Sequence, residues 1–112
     1  MKLKKFTAFL FGEKHMQIDE KRREIDEIDG AIVELLHRRA DVSREISVLK
    51  MSAGLPIRDA DREAEILRRL CRDEHGGNEN ESICRIYERI LDESRRIQAE
   101  TRNEIVSNGV TR

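Results

Sequence analysis

The chain has 112 residues, which is enough for one small domain with a limited hydrophobic core. Charged residues make up 40% of it and aromatic residues 4%, with one proline and no tryptophan, a composition typical of long helices with surface ion pairs. The 22 basic and 23 acidic residues are interleaved and nearly cancel, so no overall basic field favours nucleic acid as a partner.

The N-terminus combines lysines with a short apolar run, MKLKKFTAFLFGEKH, and so mimics the start of a signal peptide. The run from Phe6 to Phe11 is too short to span a membrane, and no small-residue cleavage site follows it. We therefore favour a flexible or loosely docked extension over residues 1–16 rather than a targeting signal, and we expect no association with a membrane.

Residues 17–51 predict one long helix, because they contain no proline and only one glycine, Gly30. Their apolar residues recur every three or four positions and form one wide stripe: Ile18, Ile25, Ile28, Ile32, Leu35, Leu36, Val42, Ile46 and Leu49. Such a helix is roughly 50 Å long and cannot bury its stripe against itself. We therefore expect a partner chain that covers the stripe.

A second, shorter helix follows a break at Gly54 and Pro56. Asp59 has the side chain of an N-cap residue, and the helix is predicted to run to about Cys71. Glu63 stands out on this helix, because Ile66, Leu67 and Leu70 lie on the same face. A carboxylate on a core-facing stripe is costly unless another group meets it.

The third helix is predicted to begin near Ser82, after a polar loop with a glycine pair, and to fray after Ile105. Its inner face carries Ile83, Tyr87, Ile90, Leu91, Ser94, Ile97 and Gln98. The predicted fold class is all-α, with three helices per chain and a long first helix. The helical domain covers residues 17–105, and residues 106–112 form a C-terminal tail.

The two cysteines, Cys71 and Cys84, lack the spacing of a metal site or of a disulfide framework. We expect free thiols in a reducing, cytoplasmic setting. No arrangement of Cys with His, or of Ser with His and Asp, is apparent in the sequence. The sequence therefore predicts a site that works by binding and electrostatics, with no nucleophile or metal.

All three predicted apolar faces carry polar side chains: Arg22, Arg39, Lys50, Glu63, Ser94 and Gln98. Each one alone has an ordinary structural explanation, such as a cation that reaches water from the edge of a stripe, or a polar residue that fixes helix register. As a set, however, the three cations outnumber the visible acids, Asp29 and Glu63. A cavity with excess positive charge favours an anionic ligand, and the planar fork of arginine suits carboxylates.

The spacing of the three cations predicts a site shared between chains. Arg39 and Lys50 are 11 residues apart, roughly 16 Å by helical rise, a gap that long side chains can narrow around a small molecule. Arg22 precedes Arg39 by 17 residues, roughly 25 Å, which is too far. Arg22 could serve the same ligand only from an antiparallel partner chain, which predicts two composite sites per dimer.

Taken in order, these motifs resemble the all-helical chorismate mutases. The resemblance covers about residues 17–100 and is carried by Arg22, IDEID at 25–29, Arg39, Lys50, GLP at 54–56, DADRE at 59–63, Ser94 and Gln98. It implies an intertwined homodimer of three-helix chains whose long first helix spans both subunits. The implied activity is the rearrangement of chorismate to prephenate in the biosynthesis of phenylalanine and tyrosine, without a cofactor.

The same resemblance implies a set of substrate-binding residues: Arg22, Arg39, Lys50, Asp59, Arg62, Glu63, Ser94 and Gln98. Arg22 of the partner subunit and Arg39 would bind the two carboxylates of chorismate. Lys50 and Gln98 would donate to its ether oxygen, and Glu63 would accept from its ring hydroxyl. Of these, Arg39, Lys50, Glu63 and Gln98 are the predicted catalytic residues. The backbone near Asp59 would complete the hydroxyl site, and Arg62 and Ser94 would complete the wall.

Two other functions remain open on the sequence. The related isochorismate pyruvate lyases use a similar cationic pocket but resemble this chain less in the DADRE segment, where Glu63 favours the mutase. The chain could also be a non-catalytic helical dimerisation module. The intact polar set argues against that role, because a packing module would gain stability from apolar residues at those positions.

Overall fold

The computed structural model describes residues 2–72 and 78–109 of the chain. They form three helices, α1 (Lys2–Ser52), α2 (Ala60–Leu70) and α3 (Asn78–Ser107), and no strand occurs among them. The prediction of an all-α fold with three helices is confirmed. α1 begins at Lys2 and not near residue 17, so the N-terminal segment is helical from its second residue. The division into an extension, a domain and a tail stays a prediction.

The chain divides into two compact units, Met1–Arg38 and Arg39–Arg112. The first unit is a single stretch of α1. The large apolar side chains of its predicted stripe are all exposed: Ile18, Ile25, Ile28, Ile32, Leu35 and Leu36. The second unit contains the end of α1 together with α2 and α3. In the described residues, no helix is both long enough and apolar enough to cross a membrane.

The end of α1 has the hydrogen bonds of a Schellman motif. The amide of Leu55 donates to the carbonyl of Lys50 at 2.8 Å, and the amide of Gly54 donates to the carbonyl of Met51 at 3.2 Å. Gly54 has a φ of 69°, a backbone conformation that side chains disfavour. Arg102 of α3 donates to the carbonyl of Leu55 at 2.9 Å and so fastens this turn to the third helix.

α2 begins and ends as the sequence predicts. The side chain of Asp59 accepts a hydrogen bond from the amide of Arg62 at 3.0 Å, which satisfies one of the free donors at the helix start. Cys71 closes the helix, its amide bonded to the carbonyl of Leu67 at 2.8 Å. Ile66 is buried and Glu63 half-buried on the inner face, so the predicted face is the packed one.

Cys71 and Cys84 form a disulfide, which corrects the prediction of free thiols. The bond joins the end of α2 to α3 across a sequence separation of 13 residues, with the two Cα atoms 5.3 Å apart. Sequence spacing gave no sign of it, because the pairing depends on how the two helices pack. Since disulfides are rare in reducing compartments, the argument for a cytoplasmic location from free thiols loses its basis.

The second unit has a small apolar core. Among the side chains that the structure describes, Ile66 and Leu91 are the buried apolar ones, while Ser43, Ser47, Ser94 and Gln98 are buried polar ones. Ser47 is 0% exposed and donates to the backbone carbonyl of Gln98 at 2.7 Å. A side chain this small lets α1 and α3 approach closely, and its hydrogen bond offsets the cost of burying the hydroxyl.

Candidate active site

One cavity of about 380 Å³ lies in the second unit, where the end of α1, the start of α2 and the middle of α3 meet. Its apolar wall consists of Ile46, Ile57, Ile66 and Leu91. Its charged side chains are four cations and two carboxylates: Arg39, Lys50, Arg62, Arg95, Asp59 and Glu63. This combination of apolar walls with a few converging polar groups is typical of a small-molecule site.

Seven of the eight predicted substrate-binding residues line this cavity: Arg39, Lys50, Asp59, Arg62, Glu63, Ser94 and Gln98. The eighth, Arg22, belongs to the first unit, where it is exposed and lies 3.7 Å from Asp19 one turn earlier. The structure thus brings seven of the predicted residues together in one chain, and Arg22 is not among them. What each of them does to a substrate stays a prediction.

Arg39 and Ser94 connect α1 to α3 at one side of the cavity. The guanidinium of Arg39 donates through Nη1 to the hydroxyl oxygen of Ser94, which is buried. The partner of this cation is therefore a neutral group. Its charge is not cancelled by the contact, and four of its five N–H groups remain for other partners.

Lys50 makes two hydrogen bonds to neutral oxygens. Its Nζ donates to the carbonyl of Ile57 at 2.6 Å and to Oε1 of Gln98 at 3.0 Å. Because an ammonium can only donate, these bonds fix the Gln98 amide with its oxygen toward Lys50. The NH₂ group of Gln98 is then left to donate elsewhere. Lys50 keeps one further N–H for a ligand.

Arg62 and Asp59 stand at the α2 side of the cavity. The side chain of Arg62 pairs with Glu65 one turn along the same helix, at 3.0 Å, and both are about half exposed. Such an exposed pair contributes little to stability and is easily exchanged for another partner. Asp59 has the structural role of helix cap, so its carboxylate is already engaged.

Arg95 is the functional candidate that the sequence analysis missed. It lines the cavity, and its Nη1 donates to Oε1 of Glu63 while its Nη2 donates to Oδ1 of Asp92. The hydrogen bond to Glu63 raises the pKa of Arg95 further above its usual range. The carboxylate of Glu63, which the sequence places on a core-facing stripe, therefore has a partner within this chain, the guanidinium of Arg95.

The electrostatics of the cavity favour an anion. Of its four cations, Arg62 and Arg95 are paired with carboxylates. Arg39 and Lys50 are half-buried, and among the described residues their hydrogen-bond partners are neutral. Partial burial of two cations without a counter-charge lowers the stability of the folded chain, and a bound anion offsets that loss.

Residues 21–99 of the chain match the family named chorismate mutase type II, and this range covers most of the sequence and includes every residue that lines the cavity. The chain belongs to this family. The resemblance that the motifs predicted is confirmed, and so is the prediction that the protein is an enzyme, an isomerase.

Three chorismate mutase-family relatives differ in how much of each chain they share. A chorismate mutase of Methanocaldococcus jannaschii is 33% identical over 85 residues, 73% of this chain and 84% of that protein. A bifunctional chorismate mutase/prephenate dehydratase of Aquifex aeolicus is 37% identical over 79 residues, 67% of this chain and 22% of that protein. An intracellular chorismate mutase of Mycolicibacterium smegmatis is 45% identical over 38 residues, 34% of this chain and 36% of that protein. No solved structure matches significantly.

Proposed function

We propose that this protein rearranges chorismate to prephenate in the cavity of the second unit, as a step of aromatic amino-acid biosynthesis. Family membership supports the reaction. The observation that carries the choice of site is the pair of half-buried cations, Arg39 and Lys50, whose only partners in the described chain are neutral groups. A substrate with two carboxylates supplies the missing negative charge.

The reaction is an intramolecular rearrangement that needs no proton shuttle. Catalysis must come from holding the compact conformer and from stabilising charge at the breaking C–O bond. An acceleration of about a million-fold, at the low end for enzymes, requires roughly 8 kcal/mol of differential stabilisation. Lys50 and the NH₂ group of Gln98 supply donors to the ether oxygen from two adjacent positions. Their contribution grows as negative charge gathers on that oxygen.

Binding of the carboxylates falls to the arginines. Arg39 binds one carboxylate with the N–H groups that Ser94 leaves free, and the partner subunit's Arg22 binds the other. Glu63 accepts a hydrogen bond from the ring hydroxyl. Arg62 can leave its exposed pair with Glu65 and close the wall of the cavity around the substrate.

The assembly in this proposal is an intertwined homodimer with two shared sites. Its support is the exposed apolar stripe of α1, on which Ile25, Ile28 and Leu35 are each more than half exposed. The small core of the second unit supports the same assembly, because only two of the side chains that the structure describes are both apolar and buried, which is few for a domain that folds alone. A second copy of the chain would cover the stripe and bring Arg22 to the cavity.

The activity is tested by incubating the purified protein with chorismate and following the loss of chorismate absorbance together with the identity of the product. We expect prephenate as the product, and we expect Arg39→Ala to abolish turnover. Release of pyruvate from isochorismate in a parallel assay would indicate the lyase, and a folded protein that turns over neither substrate would indicate a dimerisation module. Sedimentation at micromolar protein concentration tests the assembly, since an active monomer is incompatible with shared sites.

A further inference from the structure

Arg95 links three side chains into one row of charges. Its guanidinium lies between Glu63 of α2 and Asp92 of α3, and bonds one carboxylate through each terminal nitrogen. Exposure increases along the row, from 19% for Glu63 to 27% for Arg95 and 51% for Asp92. The row therefore runs from the wall of the cavity out to solvent.

The two cations Arg39 and Arg95 differ in what they can do for a ligand. Arg39 is bonded to a neutral hydroxyl, so its positive charge is free to attract a carboxylate. Both terminal nitrogens of Arg95 are already engaged by carboxylates of the protein. The charge of Arg95 is therefore balanced by carboxylates, so Arg95 attracts a substrate anion less than Arg39 does, but it imposes the fixed geometry of its fork on its partners.

Glu63 is the partner that this geometry affects most. Its Oε1 accepts from Arg95, which restricts rotation of the carboxylate and leaves Oε2 for another donor. Without Arg95 the carboxylate would be a partly buried charge with no partner in the described chain, and it would turn toward solvent or toward the cations of the cavity. Lys50, which lines the same cavity, is one such cation.

We propose that Arg95 is a positioning residue, which holds Glu63 in the orientation from which Oε2 accepts the ring hydroxyl of the substrate. Asp92 in turn holds Arg95. The inference rests on the proposed function, in which Glu63 takes that hydroxyl. Because the hydroxyl does not change its charge during the rearrangement, its hydrogen bond stabilises the bound substrate and the transition state alike. Loss of Arg95 should therefore appear in KM more than in kcat.

The test is a double-mutant cycle on kcat/KM for chorismate. Arg95→Ala should lower kcat/KM by about 10-fold, mainly through KM, a loss in the middle of the range for coupled neighbours. In the Glu63→Gln background the same change should have an effect of less than about 2-fold, because the introduced amide has a single oxygen, and once that oxygen bonds Arg95 none is left to accept the ring hydroxyl. An equal loss in both backgrounds would overturn the proposal, since Arg95 would then act independently of Glu63.

Two further variants guard against a purely structural effect. Asp92→Asn changes an exposed side chain, so it should leave folding intact while producing a smaller rise in KM that also vanishes in the Glu63→Gln background. Arg96→Ala is the matched control, because Arg96 adjoins Arg95 on α3 but its ion pairs among the described residues are with Glu93 and Glu100, neither of which lines the cavity. Its KM should equal that of the parent. If Arg95→Ala does not fold, Asp92→Asn decides the question.

Turnover of chorismate by the parent enzyme distinguishes a failure of this inference from a failure of the proposed function. A parent protein that does not turn over chorismate would refute the function itself. A parent that does so, with Arg95→Ala and Asp92→Asn both unchanged in KM, would refute only the role of Arg95.

Discussion

Lys50 Nζ and Gln98 Oε1 are 3.0 Å apart, and this hydrogen bond joins the end of α1 to the middle of α3. It places the ammonium next to an amide that has its NH₂ group free, so two different donors stand side by side at one cavity. A single oxygen of a ligand can accept from both. Neither donor needs to lose or gain a proton for this, which suits a reaction without a proton shuttle.

Replacement of Lys50 tests whether the ammonium stabilises the transition state. Lys50→Ala should lower kcat by at least about 100-fold, the scale for losing one donor to a developing charge, with a smaller change in KM. Steady-state kinetics with chorismate measures both. Arg44→Ala is the control, because Arg44 lies on α1 in an exposed pair with Asp41. If Lys50→Ala changed only KM, Lys50 would not stabilise the charge that develops on the ether oxygen.

Replacement of Gln98 by glutamate tests the neighbouring donor through pH. At neutral pH the introduced carboxylate repels the charge that develops on the ether oxygen. Once protonated, the carboxyl can donate to that oxygen as the amide does. Activity of Gln98→Glu should therefore rise as pH falls, and this limb should be absent from the parent. Parallel pH profiles for Gln98→Glu and the parent would contradict a contact between Gln98 and the ether oxygen.

Mixed dimers test whether Arg22 acts across the subunit interface. Arg22→Ala and Lys50→Ala should each be inactive alone. In a heterodimer of the two, one site carries both substitutions and the other carries neither, so an equimolar mixture should recover about a quarter of the parent activity. Subunit exchange is verified with tagged chains. If exchange occurs without recovery, Arg22 and Lys50 serve the site of one and the same chain.

The disulfide should contribute to stability and not to catalysis. Neither Cys71 nor Cys84 lines the cavity, so the double change Cys71→Ser with Cys84→Ser should leave kcat/KM unchanged. The loop it closes spans 13 residues, for which chain entropy predicts a loss of about 3 kcal/mol in the free energy of unfolding. Urea unfolding at one fixed protein concentration measures it, and the parent in reductant should match the variant. An unchanged urea midpoint would contradict this prediction, because it would mean that removing the disulfide does not increase the conformational entropy of the unfolded chain.

Local signals in the sequence located the end of α1 and both ends of α2, but not the starts of α1 and α3, which lie earlier in the chain than predicted, at Lys2 and Asn78. Asp59 was identified as the N-cap of α2, because an aspartate can bond a backbone amide three residues ahead whatever the rest of the fold does. Gly54 marks the end of α1 for a similar reason. A Schellman turn requires a residue with positive φ just after the helix, and glycine is the residue that adopts this conformation most readily. Such features depend on neighbours in the chain and so are visible in it.

Contacts between helices were harder to predict. Arg95 and Glu63 are 32 positions apart, and Arg95 lies beside the predicted inner face of α3, next to Ser94 but not on the stripe itself. Only the packing of α2 against α3 brings the guanidinium round to the carboxylate. The pairing of Cys71 with Cys84 was not predicted for the same reason, because it depends on where the end of α2 packs against α3.

Hydrogen bonds of Lys50, which lines the cavity, fix the length of the turn after α1. The backbone carbonyl of Lys50 receives the amide of Leu55, and its side chain reaches the carbonyl of Ile57, 7 residues along. One inserted or deleted residue between them would turn that carbonyl away from the ammonium, even if every helix still formed. Surface turns usually accept grafted peptides or new chain termini. The turn after α1 should tolerate neither, because it positions the ammonium of Lys50 as well as reversing the chain direction.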